Sequence, residues 1–355
     1  MRGRRTRWAL TAVSVALLVA VCAGPSTAER EYREAESAAN AGDWPAAFTG
    51  YSAVLETDPA HDAARAGQER AAEHLIRTVP MLDVEIEVAL LAWLDEEDRL
   101  GDLAAVLDRS TVAIPAGWGV MGSEGGPADE RPRRDVYLDQ YWLDRYELTN
   151  LQYEAFVDAT DERPPVYWQG DTYPPGTARH PVVGVSWDQA RSYCAWAGKR
   201  LPTEAEWERA CSGTGGRRYP WGAHWDPSRA NVTMVPLDDP DDAWRWLASS
   251  QGAPASLQPV GGPGDLSPDG VCDLAGNAAE WVADWYDPSA YSHLTDRNPL
   301  DDGPPWSRSV RGGAWLMRHP DADLVADASR CVSRNASHSA DDPRVGFRCA
   351  ATPGG

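Results

Sequence analysis

From Arg30 to about Arg109 apolar residues recur every three or four positions among Ala, Glu and polar residues, with few glycines. That is the helical period. It predicts helices over Glu31–Ala41, Pro45–Glu56 and Ala60–Arg77, then Met81–Trp93 and Asp95–Leu107. Pro45 suits a first helical turn and Pro59 follows an end. Gly101 weakens the last helix or divides it into two pieces. Gly42, Ala47, Tyr51, Leu55 and Pro59 stand at the spacing of a tetratricopeptide-like hairpin. Only one copy is legible, where such repeats need about three for stability. An amphipathic hairpin capping the next domain is the simpler reading.

At Ser110 the pattern changes. Gly, Pro and Trp become frequent, and apolar runs shorten to strand length at Val112–Ile114, Val136–Leu138 and Val182–Val185. Helical patches interrupt them at Thr149–Ala159, at Trp187–Ala197 behind a Ser186 cap, and at Thr203–Ala210. The last carries acids in its first turn, where they complement the helix macrodipole. The expected organisation is a leader at 1–28, a helical segment at 29–109 and an irregular, loop-rich α+β domain at 110–355. So large a domain with so little regular structure needs staples.

Charge narrows the functional classes. Thirty-three basic against 54 acidic residues give a net charge of -21. Such a surface repels phosphate backbones, so no nucleic-acid partner is expected. Seventeen Trp against three Phe read mainly as core, since Trp is highly buried on average. Arg2, Arg4, Arg5 and Arg7 precede an apolar run, Trp8–Val21, and small residues follow at Ser26-Thr27-Ala28. This is the plan of an export signal, and the run is short for a bilayer span. An uncleaved anchor and lipidation of Cys22 are the alternatives, so any membrane association comes through that segment alone. The protein is expected to be exported: secreted, periplasmic or surface-anchored. In such a compartment cysteines pair.

The densest chemistry lies in CDLAGNAAEW, Cys272–Trp281. Its start is poor helix material and its end good. Asp273 and Glu280 around a flexible Gly276 suit a loop for a hard cation. No HExxH, GxSxG or phosphate-binding glycine loop appears. Asn231 and Asn335 each head a glycosylation tripeptide, a pattern that also arises by chance.

These strings together resemble the formylglycine-generating enzyme, or sulfatase-modifying factor, family. IPAGWGVMGS (114–123), YWLDRYELTNLQYEAFV (141–157) and HPVVGVSWDQARSYCAWAGKRLPTEAEWERAC (180–211) carry the likeness. YPWG (219–222), DGVCDLAGNAAEW (269–281), RGGAW (311–315) and VGFRCA (345–350) complete it in the family's order. The resemblance implies an irregular α+β domain similar to the C-type lectin fold. It implies disulfides Cys194–Cys349 and Cys211–Cys331, where spacing alone leaves three connectivities open. Structural calcium is implied at Asp273 and Glu280 with the carbonyls of Gly276 and Ala278. A second calcium site keeps only its first half, Asn231 and Val232.

The resemblance breaks where the family's oxidase holds copper(I) on two cysteines beyond the RGG-aromatic strand. Here those positions are Met317 and Ala326, and Ala314 replaces the strand's serine. Copper is therefore not expected, and no catalytic residue is assigned. Arg311, Trp315, Met317, Arg334 and Arg348 are the candidate pocket, with Arg334 and Arg348 read foremost as structural ion-pair donors. The sequence suggests a non-oxidase protein, accessory or binding a peptide or glycan. A divergent oxidase or other protein-modifying enzyme is the alternative.

Overall fold

The computed structural model describes residues 26–78, 82–234, 242–247, 257–262, 264–303, 307–317, 322–337 and 341–353. Nearly all of the expected leader, including Cys22, lies outside them. The chain divides into two compact units, one up to Leu90 and one from Leu91, whereas the sequence pattern changes at Ser110.

The described residues of the first unit include α1 (Thr27–Ala41), α2 (Trp44–Thr57), α3 (Asp62–Thr78) and the start of the next helix. Ser26 and Asp43 cap the first two through their side-chain oxygens, accepting from Glu29 N and Ala46 N. Gly42 ends α1 at φ 78°, the left-handed conformation of a helix C-cap. Small residues set the approach of the helices. A Cβ on Gly67 would lie 2.4 Å from the Tyr51 ring, and one on Gly50 would lie 2.8 Å from Ala35 Cβ. The Tyr51 hydroxyl donates to Glu36 at 2.6 Å, so the buried ring keeps its polar end satisfied. Of the tetratricopeptide-like positions, Ala47 and Tyr51 are buried while Leu55 is only half-buried.

α4 (Val84–Glu96) and α5 (Leu100–Arg109) follow. The break between them falls at Asp98, at φ 54°, rather than at Gly101, which sits inside α5. The remainder combines short sheets with α6 (Asn150–Ala159), α7 (Trp187–Trp196) and α8 (Glu204–Ser212). Thr149, Ser186 and Thr203 each close a capping box with the residue three positions on. β1 (Thr111–Ile114), β4 (Tyr141–Asp144) and β11 (Ala350–Ala351) form one sheet, with β4 central. β2 (Gly117–Met121) pairs with β3 (Arg134–Leu138). β5 (Thr233–Met234) pairs in parallel with β8 (Leu316–Met317). The central sheet runs β10 (Val345–Phe347), β6 (Ala279–Trp285), β7 (Arg308–Arg311), β9 (Asn335–Ser337).

Two sequence expectations change. The end of CDLAGNAAEW is strand β6, not helix, because β10 and β7 pair with it on either side and nearly every position is buried. Val182–Val185 is buried but not a strand. Val182 N donates to Leu148 O, while Gly184 N, at φ 67°, reaches Asp342 O and Val345 O, so no ladder propagates.

Trp207, Trp281 and Trp315 are fully buried in the core, whereas Trp118, Trp142 and Trp196 remain exposed. Disulfides join Cys194 on α7 to Cys349, and Cys211 on α8 to Cys331. They close sequence separations of 155 and 120 residues. No helix of the described residues is long and apolar enough to cross a membrane. Closing such long loops restricts the unfolded chain, so replacing both Cys211 and Cys331 by Ser is expected to cost about 2–4 kcal/mol. Urea unfolding of the oxidised protein measures this, and an unchanged midpoint would contradict the stapling role.

Candidate functional site

Two glycine-bearing segments meet at the centre of the second unit. Gly276 N donates to Gly312 O at 2.8 Å, and Trp315 N donates to Asn277 O at 2.6 Å. CDLAGNAAEW and RGGAW are thereby laced together. Gly312 and Gly313 stand at φ 98° and 77°, backbone that disfavours any side chain. A Cβ on Gly312 would also lie 3.1 Å from the Trp207 ring. Asn277 holds its own left-handed turn by donating to Glu147 at 2.6 Å, and Ala278 N donates to the other oxygen of Glu147 at 2.7 Å.

Around this junction three arginines are buried with carboxylates. Arg348 is fully buried and grips both oxygens of Glu280 at 2.7 Å. It also donates to the carbonyls of Asp144, Arg145, Cys272 and Asp273. Arg311 reaches Glu204 at 2.9 Å, Glu208 at 2.7 Å and the Cys331 carbonyl at 2.6 Å. Arg334 takes both oxygens of Glu204, at 2.9 and 2.8 Å. Burial alone would raise the Glu204 carboxyl; Arg334 and Arg311 outweigh it and hold the group below its ordinary value. Glu208 has Arg311 but not Arg334, and burial leaves its carboxyl raised.

Four residues of the candidate pocket are enclosed. Arg311, Arg334 and Arg348 are closed into ion pairs, and Trp315 is buried with its Nε1 donating to Pro343 O. The side chain of Met317 lies outside what is described, and Ala326 is buried in a short helix, Ala322–Ala328. A cavity of about 740 Å³ opens elsewhere, between the Ser123–Pro127 loop and residues Arg217, Arg218, Asp327 and Arg330, with Arg133 at its wall. Arg218 and Arg330 pair with Asp327, and Arg330 also pairs with Glu130. Arg133 and Arg217 have no carboxylate partner among the described residues.

In the cation loop Glu280 and Asp273 both meet protein donors. Both oxygens of Glu280 accept from Arg348, and one also accepts from Trp207 Nε1 at 2.9 Å. Glu280 is thus committed to protein donors. Asp273 accepts from Gly261 N and Gly262 N. Asn231 lies close by: its carbonyl accepts from Asn277 N, and its side chain donates to Asn277 Oδ1. The carboxylate with an unanswered oxygen is one the sequence reading passed over. Asp265 is buried, and its Oδ1 has no hydrogen-bond partner among the described residues. Burial, with Asp273 adding to it, pushes its carboxyl up to about 8. Burial likewise raises Asp273 to about 6, and raises Glu147 well above the carboxylate range. Four buried acids here face one buried guanidinium. The surplus negative charge suits a hard cation near Asp265 and Asp273; the oxygens of Asp273, like those of Glu280, also accept from protein donors.

Glu147, Glu204 and Glu208 were also missed as partners. The available signal was Glu204 and Glu208 one turn apart on α8, flanking Trp207: acids on a core-facing stripe require cations.

A family described as the sulfatase-modifying factor enzyme 1-like domain matches residues 102–353. The chain is similar to the serine/threonine-protein kinase pkn1 of Chlamydia caviae, 33% identical over 258 residues, covering 67% of this chain and 37% of that protein. It thus spans little more than a third of that relative's length. It is 31% identical over 299 residues to the formylglycine-generating enzyme of Thermomonospora curvata, covering 69% of this chain and 94% of the relative. The mouse inactive C-alpha-formylglycine-generating enzyme 2 is 29% identical over 321 residues, covering 78% and 96%. Among solved structures, PvdO from Pseudomonas aeruginosa shares the fold, with a TM-score of 0.50 at 24% identity over 69% of this chain and 95% of that one.

Removing one partner of a buried pair strands the other charge, at about 3–5 kcal/mol. Arg334→Met is expected to destabilise by that amount in urea titrations. Arg297→Ala, which breaks an exposed pair with Asp139, should stay within about 1 kcal/mol. Equal effects would overturn the assignment.

Proposed function

The chain belongs to the sulfatase-modifying factor family, and from that premise we propose that it is an exported binding or accessory protein rather than a cysteine oxidase. One observation carries the reading: the supply of thiols. Of six cysteines, four are in the two disulfides. Cys22 belongs to the expected leader, and Cys272 is buried, its thiol pushed up by burial and by neighbouring Asp273. The family's copper(I) is held on two thiolates, which disulfide or buried sulfur does not offer, and the family's cysteine positions hold Met317 and Ala326. A mouse relative bearing the name of an inactive enzyme agrees with a frame kept without the oxidation. Export is supported by the basic-apolar leader and by disulfides, which persist in oxidising compartments.

The ligand is an acidic peptide or glycan segment entering the cavity beside Arg133 and Arg217. Across the lining Arg133, Arg217, Arg218 and Arg330 stand against Glu124, Glu208 and Asp327, which leaves the cavity slightly positive on a strongly acidic protein. A structural calcium ion, answered by Asp265 and Asp273, belongs to the same proposal. Bound there, it supplies charge neutralisation for the buried acids. The kinase-named relatives extend far beyond the shared region, and their activity is not carried over.

Two measurements test this reading. The protein is incubated with copper(I) and a CxPxR peptide and followed by mass spectrometry. An unchanged cysteine is the expected result; conversion to the aldehyde would establish the divergent oxidase instead. Calorimetric melting with and without a calcium chelator should show a lower melting temperature after chelation, restored by calcium and insensitive to it in Asp265→Asn. No shift in the unaltered protein would remove calcium from the proposal.

A further inference from the structure

Beyond the end of β6 the chain makes an excursion from Tyr286 to Gly303 and returns to the same strand. Trp285 N donates to Asp301 O, and Asp301 N donates to Asp284 Oδ1, both at 2.9 Å. The outgoing and returning limbs are thus clamped, and Asp287 on the first faces Asp301 on the second. Between them a 3-10 turn, Ala290–Ser292, ends at His293. One ligand atom from each of Asp287, His293 and Asp301 lies within 4.8 Å of the other two.

We propose that Asp287, His293 and Asp301 form a site for a zinc-type divalent cation. Asp301 decides the matter. Its residue is 6% exposed, and its Oδ1 accepts from Gly303 N at 2.9 Å. Its Oδ2 is buried with no hydrogen-bond partner among the described residues. A buried carboxylate oxygen left without a donor or cation is costly. An ordinary surface pair of Asp287 and His293 leaves that oxygen unexplained, whereas a shared cation answers it.

The other two groups fit the same ion. Asp287 gives Oδ1 to the Ser289 N–H and hydroxyl, which fixes the carboxylate and leaves Oδ2 facing His293 Nε2 at 3.6 Å. That separation is too long for a hydrogen bond. It is close to the ~3.3 Å expected between two ligands, each about 2.0–2.1 Å from a tetrahedral zinc. Arg334 fixes the backbone of Asp287 by donating to its carbonyl at 3.0 Å. The guanidinium itself is paired with Glu204 and leaves the carboxylate free. An imidazole among the ligands selects a first-row metal over calcium or magnesium, which prefer oxygen alone. Three protein ligands leave a fourth position, and the His293 side chain is about half exposed, so that position opens to solvent. The site is separate from the acids around Arg348 and does not rest on the non-oxidase reading.

The test uses the full oxidised chain, stripped by chelator and returned to saturating calcium so that hard-cation sites are filled. Zinc chloride is titrated calorimetrically, and cobalt(II) is followed by its visible spectrum. The unaltered protein should take up zinc and show the absorption of tetrahedral cobalt. His293→Ala should weaken binding by at least the ten- to about hundredfold that follows loss of even an outer partner, and should abolish the cobalt bands. Asp301→Asn should do the same. His293 lies at the surface, so its variant keeps the test decisive if the buried Asp301 substitution impairs folding. Equal zinc affinity in the unaltered protein and His293→Ala, or none in either, would overturn the proposal.

Discussion

Arg348 is the centre on which the second unit is built. Its guanidinium is fully enclosed, and the cost of enclosing it is met by Glu280 and by four backbone carbonyls. Those acceptors come from the β4 end, the Cys272–Asp273 turn and β6, segments far apart in sequence. A charge buried this deeply tolerates no missing acceptor. Each segment is therefore obliged to occupy its place before the guanidinium is satisfied. Arg311 and Arg334 repeat the principle one layer away, sharing Glu204 between them. In a domain with short strands, such convergent donors supply the specificity that regular ladders supply elsewhere.

This arrangement explains which parts of the molecule could be read from its sequence. Helices with clear caps, α6, α7 and α8, were legible because Thr149, Ser186 and Thr203 signal their starts locally. The second unit's family frame was legible because its motifs are long. The strand nature of β6 was not, because Ala279 and Glu280 are helix formers overridden by pairing on both edges. The extended run at Val182–Val185 is hydrophobic because it is buried, not because it joins a sheet. The acids of α8 looked like macrodipole partners on an exposed first turn. Only the fold reveals Arg311 and Arg334 behind them, since those arginines lie more than a hundred residues onward. Glu280's spacing from Asp273 suits a cation, and its pairing with Arg348, 68 residues onward, carried no local signal. Asp265 and Asp301 carried no local signal at all, because an unanswered oxygen is a property of burial.

Gly312 and Gly313 make a close turn beneath Trp207, and Trp315 docks on Asn277. Packing and buried ion pairs carry this part of the fold, and a fold of this kind does not by itself fix the chemistry it serves.

Cys272 sits at the heart of this frame, a lone thiol whose own carbonyl is one of the acceptors of Arg348. An alkylating reagent reaches it only when the shell around the guanidinium parts. The rate of its modification is consequently a clock for native-state breathing of the molecular centre, while both buried disulfides stay closed.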